Sequence, residues 1–282
     1  RPEDAVVNYQ RVLELKPGDD EALATLERIY AGSGQFDKLL EVFQTRLDLA
    51  EDDETRRDLL KEMARIHEEG LEDLAAASQT YRAVLEIQPD DYLALSALER
   101  MAIDGERWSE LAEILESRRR FADDEEAIEV TFQLAELLSE KLYQPSAAID
   151  ELSGVLATIP GHERALNAVE PFLDDPELRG QVALLMEPHL QQNEDYPRLA
   201  RALTIILADK AEEHEKVALF KRLAEIQVEQ LQEQEAGLAT LGQALRLAPD
   251  DRELWDRLDP LAEFTDKNDE LAHTFDEAYR SE

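Results

Sequence analysis

Apolar residues recur along this chain at the three-and-four spacing that lines one side of a helix, as in Ala22, Leu23, Leu26, Ile29 and Tyr30. Leu93, Leu95, Leu98, Met101 and Ala102 repeat the pattern. Read throughout, it predicts about sixteen helices and needs no strand. Their expected spans are 3–15, 20–32, 36–50, 54–70, 73–87, 91–104, 107–121 and 125–142. The second half continues with 145–158, 162–173, 176–192, 196–209, 214–231, 234–247, 251–264 and 268–280. Connectors this short join antiparallel neighbours. The predicted class is all-α.

Punctuation between the helices is itself periodic. Pro17, Pro89, Pro160 and Pro249 each close an apolar helical run, and the steps from one to the next are 72, 71 and 89 residues. Proline ends a helix because it lacks an amide proton and disfavours helical geometry in the residue before it. Acidic doublets stand at Asp19-Asp20, Asp52-Asp53, Asp90-Asp91, Asp123-Asp124, Asp174-Asp175 and Asp250-Asp251. Aspartate there accepts a hydrogen bond from first-turn amides and suits the positive end of the helix dipole. Capping accounts for these doublets better than calcium, since no loop alternates oxygen ligands around a central glycine. The third unit, 89 residues against 72, has room for one further helix near 176–192. Pro171, Pro188 and Pro260 fall inside predicted helices and are expected to kink or end them, so that region is a candidate joint.

Composition narrows the functions open to such a chain. Its 282 residues are 43% apolar, which supports a folded core. Thirty basic against 66 acidic residues give a net charge of −36, which argues against nucleic acid or an anionic membrane as partner. With no cysteine, disulfides, thiolate nucleophiles and zinc-thiolate sites are excluded. The longest apolar runs, such as 203–208, fall far short of the ~18 residues a membrane span requires. Targeting information is either absent or trimmed from this sequence, so the compartment is undetermined, with the cytoplasm favoured.

Catalytic constellations are missing. His67, His162, His189, His214 and His273 are scattered without metal-ligand spacing, and His67 is expected to pack, partly buried, on a long helix. Gly32-Ser33-Gly34 follows a helix and reads as a C-terminal turn rather than a phosphate loop. No serine has the surroundings of a nucleophile elbow. Trp108 aligns with Phe36 and Tyr196, and Trp255 with Leu23 and Leu95, so both tryptophans are expected on the core stripe. The expectation is no enzyme, no cofactor and no metal.

From Leu23 onward, Leu23, Leu26, Tyr30, Gly34, Phe36, Leu39 and Phe43 resemble the tetratricopeptide pattern. Its second half recurs as Ala5, Tyr9, Val12, Leu13 and Pro17, and as Ala77, Tyr81, Val84, Leu85 and Pro89. Weaker copies follow at Ala148, Leu152, Val155, Leu156 and Pro160, and at Gly237, Leu241, Ala244, Leu245 and Pro249. The resemblance implies a right-handed superhelical solenoid of antiparallel hairpins, one continuous domain over 1–282 with a half unit at its front. Departures from the pattern are Glu27 and Glu99 where the family carries glycine, and Leu39 and Leu111 where it carries a small residue. Every second unit has a longer first helix, marked by Met63-Ala64, Leu134-Ala135 and Leu223-Ala224.

In the family, first helices line a concave groove that holds an extended or helical peptide. Carried over residue by residue, the groove positions are Glu21, Ala24, Arg28 and Ala31, then Leu93, Ser96, Arg100 and Ile103. They do not match the Lys-Asn-Asn-Lys-Arg clamp for a C-terminal carboxylate. The resemblance therefore implies a non-catalytic scaffold for a protein or peptide, and the charge suggests a Lys/Arg-rich one. An acidic surface that only maintains solubility is the competing explanation. Arg28 and Arg100 are expected to pair with Glu27, Glu99 or their neighbours. The alternative function is a self-assembling segment of a larger protein, stacking end to end or followed by further repeats.

Overall fold

The computed structural model describes residues 2–209 and 213–267. The chain divides into two compact units, Arg1–Tyr143 and Gln144–Glu282. The first contains α1 (Pro2–Leu15), α2 (Asp20–Ser33), α3 (Phe36–Leu49) and α4 (Asp53–Arg65). A π-helical turn, Ile66–Gly70, prolongs α4, and α5 (Leu74–Ile87), α6 (Tyr92–Asp104), α7 (Trp108–Phe121) and α8 (Asp124–Glu140) follow. The second unit contains α9 (Pro145–Thr158), α10 (Glu163–Val169), a 3-10 segment (Glu170–Asp174), α11 (Arg179–Gln192) and α12 (Tyr196–Asp209). It continues with α13 (Glu213–Glu225), a second π-helical turn (Ile226–Gln230), α14 (Gln234–Leu247) and α15 (Arg252–Thr265). There is no strand among the described residues. The chain is thus an all-helical array of antiparallel hairpins. The helix expected at 268–280, with His273, lies outside the described residues.

The punctuation works as its chemistry requires. Asp19, Asp52, Asp91 and Asp123 each accept the amide of the residue three positions on, at 3.1, 2.7, 3.0 and 2.9 Å. Asp251 accepts that of Glu253 at 3.0 Å. At the equivalent place in the third unit stands His162, whose Nδ1 accepts the amide of Ala165 at 3.3 Å. Asp175 accepts from Glu177 within a turn and does not cap α11. Pro171 ends α10 by opening the 3-10 segment, whereas α11 and α15 run on through Pro188 and Pro260. Where other units have one first helix, the third has α10, the 3-10 segment and then α11.

Each short hairpin closes on a left-handed residue. Gly34 has φ 68°, and its counterparts Glu106, Glu194 and Asp266 have φ 50°, 55° and 56°. In every copy the next amide reaches back to the last helical turn: Gln35 to Tyr30, Arg107 to Ala102, Asp195 to Leu190 and Lys267 to Ala262. Long hairpins close after their extended first helices, with Glu72, Tyr143 and Gln232 at φ 54–58°.

Small residues let the helices approach. Ala77 and Ala148 are fully buried, and a Cβ built on Gly237 would stand 2.3 Å from a methyl of Val228. Leu23, Leu26, Tyr30, Leu39 and Phe43 join Met63 and Ile66 in the first unit's core, while Leu241, Leu245, Leu254 and Leu258 anchor the second. Each such leucine contributes about 1.5–3 kcal/mol by leaving water. Glutamates at the family's glycine position have a role of their own: Glu27 pairs with Arg46 at 3.4 Å and Glu99 with Arg118 at 3.2 Å, tying each first helix to its partner. Trp255 packs on the C-terminal cluster, its Nε1 donating to the Pro249 carbonyl at 2.9 Å. Trp108 is half-buried with the Lys141 ammonium 5.4 Å from its ring centre. His67 is half-buried on its π-helical turn.

Candidate interaction face

The first helices α4 and α6 lie side by side because their charges interlock. Lys61 on α4 reaches Asp91, the cap of α6, at 3.2 Å, and Arg57 donates to Gln88 at 2.7 Å. The second unit repeats this tie with Lys221 and Asp251 at 2.6 Å. Burial disfavours the Lys221 ammonium, but hydrogen bonds to Asp251 and Glu253 outweigh it and raise its pKa. Asp251 is held below the usual carboxylate range by that same ammonium.

On α2 the expected groove residues Glu21, Ala24, Arg28 and Ala31 are all exposed. Arg28 has no ion-pair partner among the described residues, contrary to expectation, because Glu27 turns to Arg46 instead. On α6, Leu93 is 53% and Ile103 46% exposed, Arg100 is exposed and Ser96 half-buried. Ser96, Arg100 and Ile103 share one hollow of about 320 Å³ with Tyr92, Glu99 and Arg118. Ala31 lines a separate hollow of about 360 Å³ with Phe36, Phe43 and Ile66. Glu21, Ala24, Arg28 and Leu93 line neither.

Arg100 is paired, though not with Glu99. Its guanidinium binds Glu68 on the π-helical turn after α4, and the Tyr81 hydroxyl donates to the same carboxylate at 3.2 Å. Burial, then the negative charge of Glu68, pushes the Tyr81 pKa up to about 12. This triad ties the π-helical turn after α4 to α5 and α6. Glu68 lies 32 residues from Arg100, so no local pattern pointed to it. Sequence reasoning also missed Tyr92, which is 70% exposed at the start of α6. It further missed a cavity of about 510 Å³ in the second unit, bounded by Val228, Leu241, Pro260 and Phe264. The signal for that cavity lay in the repeat register, where apolar residues replace the triad.

No protein-family model matches the chain, and no curated protein matches it. Among solved structures, PilF of Pseudomonas aeruginosa is 14% identical, covering 90% of this chain and 97% of its own, with a TM-score of 0.30. The C-terminal part of a TPR repeat-containing protein from Cytophaga hutchinsonii is also 14% identical, over 90% and 93%, at 0.32. YrrB, described as a TPR protein with an unusual peptide-binding site, is 15% identical over 76% and 96%, at 0.28.

Proposed function

We propose that the chain is a non-catalytic protein-interaction scaffold. Its first helices hold an extended or helical segment of a partner protein, and that segment carries Lys or Arg. The observation that carries this reading is the exposed face of α6. There Leu93 and Ile103 are exposed, Ile103 lines a hollow with Ser96 and Arg100, and the chain supplies nothing to cover the two apolar side chains among the described residues. Apolar anchors at this spacing suit a docked helix or strand, and a net charge of −36 steers a cationic one.

The test is affinity capture with the wild-type chain and with a Leu93→Glu/Ile103→Glu double variant, identified by mass spectrometry and then measured with the purified partner. The wild type is expected to bind with an affinity that falls as salt rises from about 50 to 500 mM. The double variant is expected to lose binding while keeping its helical spectrum. A partner that binds both forms equally, or that is indifferent to salt, contradicts the proposal.

Self-association is a second reading, favoured by one observation. Val12 on α1 is 38% exposed, although its repeat counterparts Val84, Val155 and Ala244 are buried; Val7 and Leu15 beside it are exposed as well. Light scattering over a concentration series separates the readings, since a mass that stays at one chain rules out stacking through α1.

A further inference from the structure

One place in the repeat exists in two opposite states. In the first unit, Tyr81, Glu68 and Arg100 form a polar triad linking α5, the π-helical turn after α4, and α6. At the same register 160 residues on, from 81 to 241, 68 to 228 and 100 to 260, stand Leu241, Val228 and Pro260. Asp104 is likewise replaced by Phe264. None of these positions keeps a hydroxyl, carboxylate or guanidinium. The result is the cavity of about 510 Å³ between α13, α14 and α15, well within the range that takes up small-molecule or side-chain ligands.

Its walls are Ala224, Val228, Leu241, Pro260, Leu261 and Phe264. Phe264 stands at the lip with 75% of its surface in water, so an occupant that covered it would gain the transfer free energy of an aromatic ring. The rim has the opposite character. Glu225, Glu229 and Asp256 surround the opening and are exposed. Among the described residues the one cation at the rim is Arg257, which is taken by Glu253 at 3.0 Å and Glu225 at 3.8 Å. Glu229 and Asp256 have no cationic partner among the described residues. An apolar well with two unpaired carboxylates, Glu229 and Asp256, at its rim selects an apolar group carried between positive charges and disfavours one carried between negative charges.

We propose that this cavity binds an aromatic side chain flanked by Lys or Arg in a segment of a partner protein. The proposal rests on the scaffold reading and narrows it to a site in the second unit. It is tested by titrating the full chain, isotope-labelled at leucine and valine methyls, with the acetylated and amidated peptide Gly-Lys-Lys-Phe-Lys-Lys-Gly. Counterpart peptides carry Ser for Phe, or Glu for every Lys.

The expected result is shifts at the methyls of Val228, Leu241 and Leu261, binding at least about tenfold weaker for the Ser peptide, and none for the Glu peptide. A Val228→Glu/Leu241→Tyr/Pro260→Arg variant, which copies the first unit's triad into the second, is expected to abolish those shifts. Phe264→Ser alters only an exposed side chain and leaves folding intact; it is expected to weaken the Phe peptide several-fold. Equal binding of the Phe and Ser peptides, or shifts confined to Leu93 and neighbouring methyls of the first unit, overturns the cavity proposal and leaves the scaffold reading standing. Absence of any shift at the second-unit methyls up to millimolar peptide also overturns it. The scaffold reading then stands or falls on the capture experiment above.

Discussion

Replacing Glu106 or Glu194 with glycine should stabilise the protein, although both are ordinary exposed glutamates. Each holds φ of 50–55°, in the turn that Gly34 makes at 68°. A non-glycine residue pays about 1–2 kcal/mol for the left-handed region, because its Cβ crowds the following carbonyl. Glycine removes that penalty but gives back about 0.4–1 kcal/mol through its freer unfolded chain. The net expectation is a gain of about 0.5–1 kcal/mol for each substitution, or roughly 1–4 °C in the melting temperature of a unit this size. The bonds that define the turn, Arg107 to Ala102 and Asp195 to Leu190, use backbone atoms and survive the change. Because glycine also removes a negative charge from a chain at −36, Glu106→Gln is the control that keeps the Cβ and loses only the charge. Gly34→Ala tests the opposite sign: no atom lies within 4 Å of its built Cβ, so its expected loss of about 1 kcal/mol is purely conformational. Urea and thermal melts followed at the helical circular dichroism band measure all four. If Glu106→Gln stabilises as much as Glu106→Gly, or Gly34→Ala is neutral, the conformational argument is refuted.

Three further outcomes follow from the packing and the charges. Gly237→Ala should destabilise the second unit by about 1–3 kcal/mol, since the new Cβ would meet Val228 at 2.3 Å; a Gly237→Ala/Val228→Ala double variant should recover part of that in the same melts. Tyr81→Phe should cost about 1 kcal/mol at neutral pH by removing the donor to Glu68. Because the Tyr81 pKa is raised in the folded state, to about 12, its neutral form contributes stability that is full below the unfolded value near 10 and lost as pH rises through 12. Alkaline melts should therefore fall more steeply for the wild type than for Tyr81→Phe. In acid the sign reverses. Asp19 is held low by Lys16 and the Ala22 amide, Asp52 by the Thr55 amide and hydroxyl, and Asp251 by Lys221. Their contribution is present above the unfolded value of about 3.9 and lost as pH drops through the lower folded values. A pH series should show stability steady or rising from pH 7 toward about 5, as self-repulsion is relieved, and collapsing only below about 4.

Helices were legible in this chain because their ends are written in residues with a single local job. Aspartates cap through the amide two or three positions on, and Pro17, Pro89, Pro160 and Pro249 each follow the last helical residue by two. Those are short-range constraints, visible in any window that contains them. The π-helical turns at Ile66–Gly70 and Ile226–Gln230 were read only as an extra helical turn, because the extended first helices have the same apolar spacing either way. Left-handed glutamates were hidden by their identity, but their register with Gly34 was present in the sequence, from 34 to 106 and from 106 to 194. On α6, Leu93, Arg100 and Ile103 are exposed and Ser96 half-buried, while the partner of Arg100 was not legible, since Glu68 arrives from a different helix. Ion pairs between helices depend on tertiary neighbours, so adjacent charges such as Glu99 and Arg100 misdirect a reading confined to one helix. The second-unit cavity is defined by what Leu241, Val228 and Pro260 lack, which only a comparison between repeats can reveal.

The most direct test of the account is amide hydrogen exchange of the full chain, alone and saturated with a captured partner. The account predicts slowed exchange on the first helices, chiefly α6 with Leu93 and Ile103 and α15 with Phe264, with α5 and α7 unchanged. Slowed exchange confined to those second helices, leaving α6 and α15 untouched, would contradict it.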